Sequence, residues 1–329
     1  MDLSVFFAGT AGSIPTARRG LPALLLRRGG ERILFDCGEG TQRQLVSSVG
    51  LADLDAIFLT HFHADHWFGL PGLLQTVDLR GRENPLTIYG PEGLSELLTL
   101  SQRLAGRVRF PLELVELEAQ QIVQRDGYSI APVPVSHRGT SFAYVLFEDE
   151  RPGVFDREAA IGLGVSPGPD FGRLQRGETV GDAHPDQVMG PPRAGRKLVI
   201  SGDTTPCESL TVAAHEADVL IHEATFAAQE QDRAGGTGHS TAGQAAELAR
   251  SASVRLLVLT HFSTRYPVST LRDEARTIFE RTVLPRDFDT IDIPYAERGE
   301  PRLIRWEDRQ ADEQQEEADA SEPLADHAQ

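Results

Sequence analysis

The sequence predicts an α/β fold in which sheets of mixed strand direction are covered by helices. Three observations carry that expectation. Apolar runs of four to six residues, bounded by turn residues, recur along the chain and read as buried strands. Segments with apolar residues at helical spacing lie between them. Five of the runs end in a histidine or aspartate, and the carboxyl ends of strands are where an α/β sheet gathers its loops into a site.

The N-terminal third is mostly strand: LSVFF from Leu3, ALLLRR from Ala23 and RILFD from Arg32. The five strands with ligand-type endings follow. DAIFLTH ends at His61, IAPVPVSH at His137, KLVISGD at Asp203, DVLIH at His222 and LLVLTH at His261. Helices are expected at 92–105, from Ser240 and from Ser269, the last two opened by serine N-caps. Two segments break the pattern. Residues 151–195 are rich in glycine and proline with little periodicity, and a structureless insertion of that length is either functional or disordered. Residues 307–329 are acidic and without aromatics, the composition of a solvated, disordered tail.

The chain has 329 residues, of which 40% are hydrophobic, enough for a substantial core. No stretch approaches the ~20 apolar residues of a membrane span, and the N-terminus lacks the basic and apolar regions of a signal peptide. Two distant cysteines, Cys37 and Cys207, argue against a disulfide framework and for a reducing cytoplasm. The net charge is −17 and Lys197 is the only lysine. Such a surface suits a chain hydrated in high salt. Because salt also screens repulsion within about 3 Å at 1 M, the charge does not exclude a nucleic-acid partner. It requires only that the binding site be locally basic.

The chemistry concentrates in LTHFHADHWFGL, residues 59–70. Here His61, His63, Asp65 and His66 lie within six positions after an apolar run. Imidazole suits zinc, and a carboxylate completes a borderline site. A turn can direct His61 and His63 to one ion and Asp65 and His66 to a second, with His137, Asp203 and His261 supplied by other strand ends. An aspartate between two ions can bridge them. His184, His215 and His327 read as solvated. His222 has no assigned ion and reads as structural.

The HxHxDH motif, with His137, Asp203 and His261 after it, resembles the metallo-β-lactamase superfamily over about residues 1–306. The resemblance implies a four-layer αββα sandwich with the arm 151–195 inserted. It implies one zinc on His61, His63 and His137, another on Asp65, His66 and His261, and Asp203 as the bridge, with Mn2+ or Mg2+ as substitutes. Finer motifs resemble ribonuclease Z, the tRNA 3′-processing endoribonuclease family: FDCGEGTQRQL at 35–45, SGDTTP at 201–206, HEATF at 222–226, GHST at 238–241 and THFSTRY at 260–266. That resemblance makes Asp36 a support for the ligands, Asp65 the general base, and His239 the proton donor oriented by Glu223. It makes the insertion a flexible arm whose Gly168–Pro169 motif, with Arg173 and Arg176, holds the body of a precursor tRNA. Arg193, Arg196 and Lys197 add positive charge to that arm. The family acts as homodimers. The chain departs from the family in the loop PTARRG, Pro15–Gly20. Arg19 matches as a substrate contact, but alanine and glycine replace the family's lysine and asparagine, Arg18 offering a substitute charge. Rival readings are another hydrolase on the same centre (a thioesterase, arylsulfatase or small phosphodiesterase) or a metal-binding RNA chaperone without turnover.

Overall fold

The computed structural model describes residues 1–51 and 53–311. Among them, β1 (Leu3–Gly9), β2 (Ala23–Arg28), β3 (Glu31–Phe35), β4 (Ala56–Phe58), β5 (Leu86–Gly90) and β6 (Leu112–Glu116) build most of one sheet. A second sheet follows: β7 (Val123–Arg125), β8 (Tyr128–Pro134), β9 (Phe142–Glu148), β10 (Lys197–Ile200), β11 (Val219–Glu223), β12 (Leu256–Thr260) and β13 (Thr282–Val283). The chain then returns to the first sheet with β14 (Thr290–Asp292) and β15 (Arg302–Ile304). The strand orders are β15-β14-β1-β2-β3-β4-β5-β6 and β13-β12-β11-β10-β9-β8-β7. In each sheet the pairs joined by tight turns are antiparallel, as at β2–β3 through Gly29 at φ 56°. The pairs joined by helical crossovers are parallel, as at β4–β5 and β11–β12.

Strand alternation assembles the layers. In β1, Leu3, Val5 and Phe7 face a core between the sheets, while Phe6 and Ala8 face the outer side. The inner core also takes Phe35, Phe58, Tyr144, Ile200, Ile221 and Val258. Phe7 and Phe58 are fully buried, each contributing roughly 1.5–3 kcal/mol over an exposed position. On the outer face of the first sheet lie α1 (Thr41–Val46), α2 (Ala64–Trp67), α3 (Leu70–Leu79) and α4 (Leu94–Ala105). The insertion carries α5 (Arg157–Gly162) and α6 (Pro169–Gln175). Beyond it come α7 (Glu208–Ala213), α8 (Gln231–Thr237), α9 (Ala242–Ser251) and α10 (Val268–Ile278), of which α7, α9 and α10 cover the second sheet. The result is the αββα sandwich.

Several sequence expectations are corrected. The cap of α9 is Thr241, whose hydroxyl accepts from the Gln244 N–H, while the Ser240 hydroxyl instead donates to the Thr204 carbonyl. The helix expected from Ser269 starts at Val268 after Pro267, because proline sets the entry angle there without a serine cap. The insertion is not structureless. Ala160, Val165, Phe171, Leu174, Ala183 and Val188 form a core of their own. Backbone bridges Arg151–Arg193 and Phe155–Met189 close the base of the arm. Residues 307–311 are helical rather than irregular, and 312–329, with His327, lie outside the described residues.

Candidate metal centre

The two sheets meet where β4, β8, β10, β11 and β12 end. The Phe142 N–H donates to the Thr60 carbonyl at 3.0 Å, and the buried Tyr144 hydroxyl donates to the Leu59 carbonyl at 2.7 Å. This seam fixes the end of β4 against the second sheet. Side chains separated by two hundred positions therefore converge on one oxygen, Oδ2 of Asp203. It lies 3.3 Å from His66 Nε2, 3.4 Å from His261 Nε2, 3.8 Å from His61 Nε2 and 4.0 Å from His137 Nε2. His63 Nδ1 is 3.1 Å from His137 Nε2, and Asp65 Oδ2 is 3.3 Å from His261 Nε2. Ligand atoms within 4.8 Å of one another form the groups His61–His63–His137–Asp203, Asp65–His66–His261 and Asp203–His239–His261.

Four of the imidazoles are held by the nitrogen that faces away from this point. Thr60 Oγ1 meets His61 Nδ1 at 3.0 Å, and Asp36 Oδ2 meets His66 Nδ1 at 2.7 Å. The Gly238 carbonyl meets His137 Nδ1 at 2.6 Å, and Thr225 Oγ1 meets His261 Nδ1 at 2.7 Å. Such outer contacts fix the tautomer and aim the free nitrogen. Asp36 and His261 both sit in the left-handed region, at φ 58° and 60°, which marks backbone held against its preference at the site. A Cβ on Gly12 would lie 2.5 Å from His261 Nδ1, and one on Gly238 2.8 Å from His137 Nδ1. Glycine at these positions lets two loops press on the rings.

The residues present suit a pair of cations. Buried His61 Nε2 has no hydrogen-bond partner, and a buried polar atom left orphaned calls for an occupant. Burial, helped by the neighbouring His66, holds His61 well below the ordinary histidine pKa, and burial likewise lowers His63 and His137. All three are thus neutral, the ligand form. Burial raises the cost of ionising Asp203 and Asp65, yet the surrounding histidines, His261 foremost, hold both below the usual carboxylate range. Burial also opposes charge on His66, but Asp203 and Asp36 outweigh it and push its pKa well up.

Beside the cluster, His239 Nδ1 lies 2.9 Å from Glu223 Oε1 and 3.8 Å from Asp203 Oδ2. Burial disfavours the imidazolium, but the Glu223 hydrogen bond and charge prevail and raise the pKa to about 9. Glu223 is 1% exposed and also accepts from the Thr204 N–H at 2.8 Å. His222 faces the other side of β11, towards the helices, since Ile221 and its neighbours alternate. Its Nδ1 bonds the Glu223 carbonyl and it remains apart from the ligand groups.

Other named residues are placed differently from the sequence expectation. Arg19 turns inward. Its guanidinium donates to the Thr10 hydroxyl and the Pro285 carbonyl and covers the Phe262 ring at 4.8 Å. It holds the loop from the inside. Arg196 is buried on Glu148, and Lys197 begins β10, so neither belongs to the arm. Arg173 pairs with Asp170 and Glu178, Arg176 with Glu178, and Arg193 with Glu297, which offsets much of the expected positive field. Gly168 and Pro169 are exposed at the start of α6.

The sequence reading missed Thr60, Thr225, the Ser13 N–H that donates to Asp65 Oδ2 at 2.8 Å, and Asp287. Thr60 adjoins its ligand in sequence and Thr225 lies within the HEATF motif, both usable signals; Asp287 offers none. Asp287 accepts from Thr10, from the Gly20 N–H at 2.5 Å and from Gln44 Nε2 at 2.7 Å, and so ties down the far end of the 10–20 loop. Burial raises its pKa to about 6. A carboxyl raised in the folded state lends stability that is complete below its unfolded value near 4 and is lost as pH rises through about 6. Asp287→Asn should flatten that fall between about pH 4 and pH 6, read as melting temperature against pH for both proteins.

Comparison with known proteins agrees with this geometry. Residues 20–261 match the metallo-beta-lactamase superfamily. Ribonuclease Z of Methanosarcina acetivorans is 43% identical over 89% of this chain and 99% of its own length. Ribonuclease Z of Myxococcus xanthus is 45% identical over 89% of this chain and 98% of its own. The crystal structure of human tRNase Z, short form, superposes with a TM-score of 0.65 at 30% identity, covering 88% of this chain and 99% of that one.

Proposed function

From the premise that the chain belongs to the ribonuclease Z family of the metallo-beta-lactamase superfamily, we propose that its Asp203-centred cluster holds two zinc ions and removes the 3′ trailer from precursor tRNA. The protein is a metal-dependent endoribonuclease that processes tRNA 3′ ends. The observation that carries the dinuclear reading is the position of one Asp203 oxygen within 4.0 Å of His61 and His137 on one side and His66 and His261 on the other. In this reading His61, His63 and His137 hold one ion, Asp65, His66 and His261 the other, and Asp203 is shared. Mn2+ or Mg2+ can stand in, since nitrogen and oxygen ligands accept several divalent ions.

When bound, the cations acidify a water and neutralise charge on the scissile phosphate. The chain's own groups do the rest. Asp65, kept ionised by His261 and held by the Ser13 N–H, accepts the water's proton. The phosphorus–O3′ bond breaks, and the phosphate stays on the trailer. His239 supplies the proton that the departing 3′ oxygen needs, its Nδ1 committed to Glu223 and its Nε2 left for substrate. The tRNA leaves with a 3′ hydroxyl.

The test is cleavage of a 3′-extended precursor transcript by purified protein with Zn2+ or Mn2+ in molar KCl. Cutting near the discriminator nucleotide with a 3′ hydroxyl product supports the reading; an intact precursor at verified metal content rejects it. Deleting the arm at 151–195 should lower kcat/KM for the precursor by roughly a hundredfold, remote binding energy being lost, while a small phosphodiester is still hydrolysed. Small-phosphodiester hydrolysis left intact with no specific loss on the precursor would favour the small-phosphodiesterase reading.

We also propose a cytoplasmic homodimer. No helix among the described residues is long and apolar enough to cross a membrane. Leu79 at the end of α3 is 79% exposed and Leu104 on α4 is 83% exposed, one turn from exposed Leu100. Large apolar side chains left in water support a protein partner there. Sedimentation should give twice the chain mass, and Leu104→Asp should shift it towards the single chain.

A further inference from the structure

The arm leaves the body where β9 ends and β10 begins. Because β10 runs from Lys197 towards Asp203 and β9 runs against it, that exit lies on the rim opposite the metal centre. At the exit the two chains of the arm touch. The Arg151 N–H donates to the Arg193 carbonyl at 2.8 Å, and the Arg193 N–H returns the bond at 2.9 Å. A Cβ on Gly153 would run into the Gly190 carbonyl oxygen, so the stalk is bare backbone at its narrowest point. Among the described residues, the hydrogen bonds and ion pairs of 154–190 all lie within the arm.

Two arginines at the base of the stalk reach one carboxylate of the body. Arg151 Nη1 donates to Glu297 Oε1 at 2.8 Å and Arg151 Nη2 to Oε2 at 3.1 Å, a two-point pairing. Arg193 Nη1 joins Oε1 at 3.2 Å from the other chain of the arm. Glu297 sits in the turn Ala296–Arg298 that follows β14. The Arg151 hydrogen bond keeps its carboxyl down at about 2, so it is ionised. The Arg151 guanidinium also covers the Tyr295 ring at 3.5 Å. Arg196 lies 4.1 Å from the same ring and is itself buried, bonded to Glu148 of the second sheet and to the Ile293 carbonyl beside the first. High salt weakens an exposed ion pair, but a planar guanidinium stacked on a ring does not depend on charge alone.

We propose that Glu297, together with Tyr295, is a positioning residue for precursor cleavage: it locks the angle at which the arm leaves the body. The role rests on the proposed tRNA processing, in which the arm grips the body of the precursor while the metal centre cuts its end. A stalk of bare backbone can pivot, and only some of its directions place a gripped precursor over the centre. When a binding-competent state is only partly populated, apparent affinity falls by that fraction. Release of the lock should therefore raise KM. Once bound in the right direction the precursor meets an unchanged centre, so kcat should hold.

Glu297→Arg, which repels both arginines, tests this in molar KCl. KM for a 3′-extended precursor should rise about tenfold with kcat nearly unchanged, and hydrolysis of a nitrophenyl phosphodiester should not move. Hydrogen–deuterium exchange at the Arg151 and Arg193 amides should quicken, reporting the stalk without any RNA. Adding Arg151→Glu restores an opposite-charge pair and should recover part of both losses. Failure of the wild type to cut the precursor would overturn the tRNA reading and the positioning role with it. Normal cutting by the wild type, with KM unmoved in Glu297→Arg, overturns the positioning role alone. So does an equal loss on the nitrophenyl substrate, or a double variant no better than Glu297→Arg.

Discussion

Asp203→Ala should abolish precursor cleavage, by roughly 10⁴-fold or more, and leave the folded protein with less than its full metal content. The scale follows from the loss of a nucleophile made available at neutral pH by acidifying water from a pKa of about 15.7 to about 7. The physical reason lies in the position of one oxygen. Asp203 Oδ2 is the point to which His61, His66, His137 and His261 all turn a nitrogen. Without it, the ring nitrogens crowd together, as His66 Nε2 and His261 Nε2 do at 3.4 Å, with no anion among them to offset a bound cation. Metal analysis of dialysed protein, beside circular dichroism and single-turnover cleavage, reads the result. Full metal occupancy with full activity in the alanine variant would remove Asp203 from the centre.

His239→Ala should behave differently. Cleavage should fall by roughly 10²–10⁴-fold, the usual worth of a positioned proton donor, with metal content unchanged. His239 is joined to Glu223, not to the ring nitrogens that surround Asp203 Oδ2. A weakly basic leaving group needs no proton, so a substrate with a nitrophenolate leaving group should lose far less activity than the precursor. The same geometry carries an alternative, because His239 also falls within ligand range of Asp203 and His261. Loss of a metal ion in His239→Ala would move it from proton donor to ligand.

Much of the fold was legible in the chain. Strands with strict alternation, such as Leu3, Val5 and Phe7 against Phe6 and Ala8, declare two buried faces and so a sheet covered on both sides. The starts of α9 and α10 were less legible. Backbone geometry at Thr241 and Pro267 decides which of several adjacent residues becomes the cap. The arm misled because glycine and proline hide its periodicity, while its small core of Phe171, Leu174 and Val188 joins residues distant in sequence, with β9 and β10 pairing at its base.

By itself the sequence determined the candidate ligands, because chemistry of this kind needs imidazoles and carboxylates at strand ends, and those are visible as letters. Only the tertiary structure decided how they are aimed. Thr60, Thr225 and the Gly238 carbonyl hold the rings, Arg19 and Asp287 secure a loop, and Arg173 and Arg176 pair with Asp170 and Glu178 inside the arm. Hydrogen bonds between residues far apart in the chain depend on distances of a few tenths of an ångström, and no local pattern of residues carries that information.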